Sequence, residues 1–312
     1  MGATVAIAGF TGRLARLITE ALVRQHPGVV VHGICRSPEK VDPKLRSISN
    51  VKVFQASSDD AEAIKRALLG VDVCICCYLG DNGLMIEGQK TLVDACIAAG
   101  VQRYIASDWC LDYRPLELGD HPTKDPMIIM RAYLEEKEKA GSISGVHILN
   151  GALTEVAWAP FVGWVDAANA TFRYYGTGDE PLDMTTMPDA AEYTAEVAYD
   201  KSAKGFFQIV GDRISVKGMA QAYSHAYGVE PKVECQGSLD ELYKSAKESF
   251  KQDPKNAYAW MGPHYQYYMG NGSTTLRGTL DHDRYLGFKP KSVEEFLKEY
   301  TKDSVGNAYR SM

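Results

Sequence analysis

The stretch that decides the fold runs from residue 3 to residue 23 and reads ATVAIAGFTGRLARLITEALV. Its mostly apolar start, Val5 to Gly9, has the character of a buried strand. The apolar positions after it recur at the spacing of one helix face. Between the two segments, Gly9 and Gly12 stand three residues apart. The pattern predicts a strand, a tight turn and a helix.

The predicted turn has the features of a site for a dinucleotide pyrophosphate. Gly9 permits the tight turn, Gly12 lets the backbone approach the phosphates, and the small Ala15 lets the helix pack close to the strand. Phosphates in this turn would meet unpaired N–H groups and the positive end of the helix dipole. We therefore expect a dinucleotide cofactor, and the alternative is a glycine-rich turn that binds nothing.

The end of the second predicted strand, in GVVVHGICRS (28–37), indicates which dinucleotide binds. An NAD site usually offers Asp or Glu to the ribose 2′-hydroxyl here, whereas a 2′-phosphate needs a basic group. The chain has Cys35, Arg36 and Ser37 instead, with Arg13 inside the turn. We therefore expect NADP(H). The expected cofactor-binding residues are Gly9, Thr11, Gly12, Arg13, Leu14, Arg36, Ser37, Cys77, Tyr78, Ser107 and Asn150.

Strands and helices alternate through the first half of the chain, and two of the predicted helices end on Gly70 and Gly100. Glycine is the residue that most easily adopts the left-handed helix C-cap. The alternation implies right-handed crossovers and a parallel sheet covered on both faces. We predict a doubly wound α/β fold of Rossmann type. Its NADP(H)-binding domain spans residues 1–150, and a smaller substrate-binding lobe over 151–312 returns some elements to the sheet.

Composition and charge exclude several classes of protein. The 312 residues are 45% hydrophobic and carry a net charge of -6, which argues against a nucleic-acid-binding surface. Cys74, Cys76 and Cys77 lie on one predicted strand, and this spacing suits reduced thiols rather than a metal site. No apolar run approaches the roughly 20 residues that span a bilayer. We expect a cytoplasmic protein that binds neither a metal nor a membrane. The sequence does not decide whether the protein forms a homo-oligomer.

Arg36 and five segments carry a family resemblance: AGFTGRLA, ALLGVDVCI, LVDACIAAGVQRYIASDW, ILNGALTEV and TTMPDAAEYTAEV. They are similar to the NmrA-like and isoflavone-reductase-like branch of the atypical short-chain dehydrogenases. The resemblance covers nearly the whole chain and is most specific from Leu92 to Trp109. It implies an NADP(H)-binding Rossmann domain with a C-terminal substrate lobe. The family includes reductases of phenolic and alkaloid metabolites, and regulators that bind the dinucleotide without turnover.

The catalytic position departs from the family pattern. Family reductases carry a lysine eight residues before a glutamate on the helix after the fifth strand, and counting back from Glu135 gives Met127. The nearest lysine, Lys124, is one candidate, provided that it faces the cofactor cleft. A second is Tyr133 with Lys137, the Tyr-x-x-x-Lys pattern of ordinary short-chain dehydrogenases, in which the ammonium lowers the pKa of the phenol. If neither candidate supplies a proton, a substrate such as an iminium is expected, because its reduction by hydride requires no acid.

Aromatic residues concentrate in YAWMGPHYQYYM (258–269). Such rings offer apolar contact with few rotatable bonds, and their hydroxyls orient polar ligands. We expect a flat aromatic or indole-like substrate, and the alternatives are lobe packing or a dimer contact. Asp108, a further catalytic candidate, would orient a cationic substrate nitrogen or merely cap a turn. The expected substrate-binding residues are Trp109, Trp158, Trp260, His264, Tyr265 and Tyr268.

Two functions follow from these patterns. The first is an NADP(H)-dependent oxidoreductase that tailors an aromatic or indole-alkaloid-type secondary metabolite, with hydride transfer coupled in one version to a cyclisation or cycloaddition. The alternative is a redox-sensing regulator that binds the dinucleotide without turnover and acts through a protein partner. The aromatic cluster favours the enzyme, whereas the missing family lysine favours the regulator.

Overall fold

The computed structural model describes residues 2–311. The first half of the chain forms β1 (Thr4–Ala8), α1 (Arg13–Gln25), β2 (Val30–Cys35), α2 (Pro43–Arg46), β3 (Val51–Gln55), α3 (Ala61–Ala67), β4 (Val73–Cys76), a π-helical turn (Gly83–Gly88), α4 (Gln89–Ala99), β5 (Arg103–Ile105), α5 (Asp125–Lys139) and β6 (Ser144–Leu149). The predicted strand, turn and helix at the start are therefore present.

The second half is made of shorter elements. They are β7 (Ala152–Leu153), α6 (Thr154–Ala157), β8 (Val165–Asp166), β9 (Thr171–Tyr174), β10 (Leu182–Thr185), α7 (Met187–Tyr199), β11 (Gly205–Gln208), β12 (Asp212–Ile214), α8 (Val216–Tyr227), β13 (Lys232–Cys235), α9 (Leu239–Gln252), α10 (Ala257–Gly270), α11 (Val293–Leu297) and α12 (Ala308–Ser311). Turns of 3-10 helix occur at Pro38–Lys40, His282–Arg284 and Val305–Asn307.

Seven parallel strands form the central sheet in the order β11-β6-β5-β4-β1-β2-β3. Successive residues of β1 point to opposite faces, so that Val5 and Ile7 enter one core and Ala6 and Ala8 the other. A strand buried on both faces is expected to be apolar throughout. The predicted doubly wound fold is confirmed, and the strand order reverses between β1 and β4, where such sheets bind ligands.

Helices cover both faces of the sheet. α3, α4 and α5 lie on one face, where Ile64, Leu92 and Leu134 are fully buried. α1 and α7 lie on the other face, where Ile18 and Ala195 are fully buried. Because α7 comes from the second half of the chain, the layers around the central sheet are completed by residues beyond 150.

The remaining elements form a second lobe with its own core. Two three-stranded sheets, β12-β10-β7 and β13-β9-β8, pack with α8 and α10 around Trp158, Phe172 and Tyr223. β11 belongs to the same half of the chain but pairs with β6 at the edge of the central sheet. Among residues 2–311, no helix is both long and apolar enough to cross a membrane.

Candidate functional site

The turn after β1 is built so that only glycine fits its first position. Gly9 has a φ of 81°, and its N–H donates to the carbonyl of Ile34 at 3.1 Å. A Cβ atom at this position would lie 2.6 Å from the carbonyl oxygen of Cys77, which follows β4. The turn therefore packs directly against the next strand at the point where the sheet order reverses.

The N-terminus of α1 is open toward this turn. Its N-cap, Gly12, offers no side-chain acceptor, and the first turn of the helix contains no acidic residue. Unpaired N–H groups and the helix dipole favour an anion at such a position. A cavity of about 330 Å³ adjoins it and is lined by Phe10, Thr11, Gly12, Arg13, Arg16, Lys40, Asp42, Pro43 and Leu45. Leu14 is instead partly buried against the core beneath α1.

Basic side chains surround the end of β2. Arg36 is exposed directly after the strand, and its carbonyl accepts a hydrogen bond from the Gln55 side chain at 3.2 Å. Ser37 begins the 3-10 turn that carries Lys40 into the wall of the cavity. Arg16 and Lys40 were not predicted from the sequence, although Lys40 follows the strand end closely and is basic. These cations are suited to a 2′-phosphate.

The strands next to the turn end in residues that connect to one another. The hydroxyl of Ser107, after β5, donates to the carbonyl of Tyr78, after β4, at 2.6 Å. Asn150, after β6, is completely buried, and neither its side-chain nitrogen nor its oxygen has a hydrogen-bond partner among the residues that the structure describes. A buried amide without partners is costly, so its presence indicates that a polar group fills the site. The turn, the open helix, the cations and this amide together fit a dinucleotide.

Lys124 is the buried cation of the site. It is the N-cap residue of α5, it is only 2% exposed, and its Nζ donates to the Tyr265 hydroxyl at 2.8 Å. Burial disfavours its charge, but the contacts with Cys110 and Tyr265 raise its pKa overall. Burial also raises the pKa of the Cys110 thiol to about 12. At neutral pH we therefore expect an ammonium beside a neutral thiol.

Two neighbouring histidines, His121 and His264, lie close to Lys124. The ring of His121 packs edge-on against Tyr265 at 4.7 Å and lies 5.6 Å from the ring of His264, with Tyr268 at 5.5 Å. Burial lowers the pKa of both histidines, so that both are neutral. The Nδ1 of His264 is bonded to the Trp260 carbonyl at 2.8 Å. In the described part of the chain, the Nε2 atoms of both rings have no hydrogen-bond partner.

Tyr133 and Lys137 lie away from this group. The Tyr133 hydroxyl donates to Asp94 on α4 at 2.6 Å, and the Lys137 ammonium lies 3.6 Å from the same carboxylate. Burial and Asp94 raise the pKa of Tyr133, which corrects the predicted lowering by Lys137. Nine residues of helix, about 13 Å, separate Tyr133 from Lys124. Met127, at the family lysine position, packs against the core of the second lobe.

Asp108 has partners inside the protein. It accepts from Nδ1 of His147 at 2.7 Å and from the Tyr113 hydroxyl at 3.2 Å, and all three residues are buried. His147 also stacks on Phe206, with ring centroids 4.6 Å apart. The suggested contact between Asp108 and a cationic substrate nitrogen is therefore replaced by an internal pair. His147 was not predicted from the sequence because it stands in an apolar strand, where a histidine resembles a core residue.

The tryptophans are packing residues in this structure. Trp109 donates from Nε1 to the hydroxyl of Thr194 at 2.9 Å and lies in the core under α7. Trp158 stacks on Tyr223 inside the second lobe, and Trp260 packs edge-on against Phe250. Of the six expected substrate residues, His264, Tyr265 and Tyr268 are the ones grouped around His121 and Lys124.

Comparison with known proteins gives two sequence relatives and a family. Residues 1–297 match the model of the NmrA-like family. The chain is 26% identical to Quinone oxidoreductase 2 of Escherichia coli (strain K12) over 212 residues, which are 67% of this chain and 68% of that protein. It is 25% identical to an NmrA-like family domain-containing oxidoreductase of Gibberella moniliformis over 177 residues, 56% of each.

Solved structures show the same fold over nearly the whole chain. An isoflavone reductase has a TM-score of 0.79 at 16% identity, with 96% of this chain and 100% of that chain covered. AtPrR2 with NADP+ and (+)pinoresinol has a TM-score of 0.77 at 20% identity, covering 96% and 99%. The NADPH complex of the quinone oxidoreductase QOR2 from Escherichia coli has a TM-score of 0.75 at 21% identity, covering 95% and 99%.

Proposed function

The chain belongs to the NmrA-like family, and from this premise we propose that this NADP(H)-dependent oxidoreductase transfers a hydride to an aromatic small molecule. One observation carries the proposal. The ammonium of Lys124, buried at the start of α5, is bonded to a tyrosine of the second lobe at 2.8 Å and lies beside Cys110, which pairs with Leu149 at the end of β6. It is a buried positive charge three residues before Met127, which stands at the family lysine position.

We assign cofactor binding to the turn and the strand ends. The open N-terminus of α1 and the backbone of Gly9 and Gly12 would hold the pyrophosphate. Arg13, Arg36 and Lys40 would hold the 2′-phosphate, while the unpaired amide of Asn150 offers a donor and an acceptor near the end of β6. When bound, NADPH supplies the hydride.

The second lobe, within residues 151–312, would supply the substrate contacts. Tyr265 and Tyr268 of α10 surround His121 next to Lys124, and the histidines there are neutral. Such a group of neutral rings with one cation suits a flat, conjugated substrate that gains negative charge on an oxygen when hydride adds. Quinone, which appears in the name of a similar protein, is a molecule of this class.

The narrower prediction is an indole-alkaloid-type secondary metabolite whose reduction accompanies a cyclisation or cycloaddition. It would need an acceptor that bears nitrogen, such as a conjugated iminium. We therefore propose to include iminium compounds beside quinones and aromatic enones when acceptors are compared. Preferential reduction of an iminium would support this narrower function, and preferential reduction of a quinone or enone would oppose it.

The first test is a parallel binding titration with NADPH, NADP+, NADH and NAD+, followed by NADPH oxidation with the acceptor panel. We expect both 2′-phosphorylated forms to bind at least about tenfold tighter, or 1.4 kcal/mol. Lys124→Met should lower kcat by about a hundredfold without weakening NADPH binding, and Lys139→Met, at the far end of α5, should not. A tenfold preference for one oxidation state, with no turnover of any acceptor, would support the regulator instead.

A further inference from the structure

The hydrogen bonds around Tyr265 assign this residue a role beyond contacting the substrate. Building on the proposed reductase function, we propose that the Tyr265 hydroxyl is the group that gives a proton to the substrate. The buried Lys124 ammonium then stabilises the phenolate that remains. The two residues come from different lobes, since Lys124 begins α5 and Tyr265 lies on α10. Neither the family lysine position nor the Tyr-x-x-x-Lys pattern contains this pair.

Exposure distinguishes the two members of the pair. Lys124 is 2% exposed, and its nitrogen is engaged with the Tyr265 hydroxyl and the Cys110 thiol. Tyr265 is only half-buried. A substrate that enters from solvent therefore reaches the phenol before it reaches the ammonium. The group in contact with the substrate is then Tyr265.

The direction of the hydrogen bonds leaves the phenol proton available. An ammonium can only donate, so the Tyr265 oxygen must accept from Lys124 at 2.8 Å. The Thr123 hydroxyl lies 3.5 Å from the same oxygen and 3.1 Å from Nδ1 of His121, so its oxygen can accept from the phenol only through a long contact. A bound substrate that comes closer to the Tyr265 hydroxyl can replace this contact and take the proton.

The Lys124 ammonium lies beside both the hydroxyl and the ring of Tyr265. The Lys124 nitrogen also lies 4.9 Å from the centre of the Tyr265 ring, so that the whole ring is close to the cation. His121, which packs against the same ring, is neutral because burial lowers its pKa. Lys124 is thus the cation that meets negative charge as it develops on the phenol oxygen.

The proposed step is balanced. Hydride from NADPH forms a new bond to the electrophilic carbon of the acceptor, and an electron pair of the conjugated system moves to its oxygen. The O–H bond of Tyr265 breaks, and its proton joins that oxygen. The resulting phenolate is held by the Lys124 ammonium until a solvent proton replaces the one lost. The acceptor is reduced by two electrons, NADPH is oxidised to NADP+, and one proton is consumed.

A test that needs no turnover uses tetranitromethane, which nitrates the ionised form of tyrosine. The protein is treated with NADP+ present, and nitrated peptides are quantified by mass spectrometry. Tyr267, half-buried on the same helix and without a lysine contact, is the internal control. We expect Tyr265 to react at least tenfold faster than Tyr267 in the wild type. Lys124→Met should remove this excess while retaining NADP+ binding, and equal rates in the wild type would overturn the pairing.

Kinetics then test the proton transfer itself. With an acceptor that the wild type reduces, Tyr265→Phe should lower kcat about a hundredfold and remove the solvent deuterium isotope effect on kcat, because the step no longer moves the phenol proton. KM and the Kd for NADPH should change less than about threefold, and Tyr267→Phe should match the wild type. Unchanged kcat in Tyr265→Phe would refute the role. Fast nitration without any turnover would instead refute the reductase function and leave the Tyr265–Lys124 pair intact.

Discussion

At the scale of single residues, burial determines how strongly the charge of a lysine acts on a neighbouring tyrosine. Lys124 and Lys137 both belong to the α5 region and both approach a tyrosine. Lys137 is partly exposed and lies beside the Asp94 carboxylate, so water and a nearby anion screen its charge. Within residues 2–311, Lys124 has no carboxylate partner, and it is almost completely buried, so its charge acts on Tyr265 at close range.

Arg36 is expected to determine the preference for the 2′-phosphate. Arg36→Ala should weaken NADPH binding by about ten- to a hundredfold, because a hydrogen bond to a charged group contributes about 1.5–3 kcal/mol. NADH binding should stay unchanged, since NADH lacks the phosphate. Fluorescence titration of both cofactors measures this, with Lys52→Ala, an exposed lysine on β3, as the control. An equal loss for NADH would assign Arg36 a structural role.

Glu155 is expected to make the folded protein less stable as pH rises. Its carboxylate is buried and accepts from the N–H of Met187 with both oxygens at 3.0 Å, and burial raises its pKa to about 7 from 4.5. Between these values the folded protein binds more protons than the unfolded chain, so raising the pH from 6 to 8 should cost about 1 kcal/mol. Glu155→Gln should abolish this contribution.

Urea unfolding at pH 6 and pH 8 measures the effect of Glu155. The exposed Glu248 on α9 provides the control, since Glu248→Gln should leave the pH dependence as in the wild type. A pH dependence in Glu155→Gln equal to that of the wild type would show that other groups cause it.

At the scale of elements, the cofactor site depends on contacts between segments that are far apart along the chain. α1 begins with an open N-terminus at Gly12, and the turn before it passes directly against Cys77, the residue after β4. In the same way, the ends of β4 and β5 are tied by Ser107 and Tyr78 at 2.6 Å. The cofactor site is therefore formed by several strand ends along one edge of the sheet, and not by the glycine turn alone.

Gly9→Ala tests this close approach, and Gly70→Ala provides a matched control. Both glycines have positive φ, 81° and 72°, so both substitutions carry the cost of a left-handed alanine. A Cβ at Gly9 would also lie 2.6 Å from the Cys77 carbonyl, whereas at Gly70 it would meet nothing within 4 Å. Gly9→Ala should weaken NADPH binding more than tenfold and lower the unfolding free energy more than Gly70→Ala does.

Dinucleotide titration and urea unfolding of the two variants decide between the explanations. We expect Gly70→Ala to bind NADPH like the wild type and to lose only about 1 kcal/mol of stability. If both variants bound NADPH equally well, the packing of the turn against β4 would not matter for the cofactor.

At the scale of the whole molecule, the two halves of the chain share one sheet. β11, from the second half, pairs with β6, and α7 packs on α1, where Arg24 and Glu192 form an ion pair. The predicted family and Rossmann-type fold are confirmed, and the NADP(H)-dependent oxidoreductase implied by the resemblance agrees with the names of related proteins. The division at residue 150 stays a prediction, and the shared sheet indicates how it should be tested.

We expect the full chain to unfold in one cooperative transition and the fragment 1–150 to lack one. Without β11 and α7, the fragment exposes the edge of β6 and the apolar face of α1. Urea unfolding followed by far-ultraviolet circular dichroism and by tryptophan fluorescence should give coincident curves for the full chain. Separate transitions, or a cooperatively folding fragment 1–150, would show that the halves are independent domains.

The sequence by itself determined the family, the alternating strands and helices, and the glycine turn with Arg36 at the next strand end. These features depend on residues close together in the chain, where helix and strand periodicity and turn chemistry are visible directly. The pairing of Lys124 with Tyr265, 141 positions apart, was decided only by the tertiary structure, as was the pairing of Asp108 with His147. Tyr133 shows why the sequence could not identify these pairs. A local pattern indicates which side chains are neighbours on a helix. Burial, and the partner that another part of the chain supplies, decide which of those side chains is charged, screened or able to react.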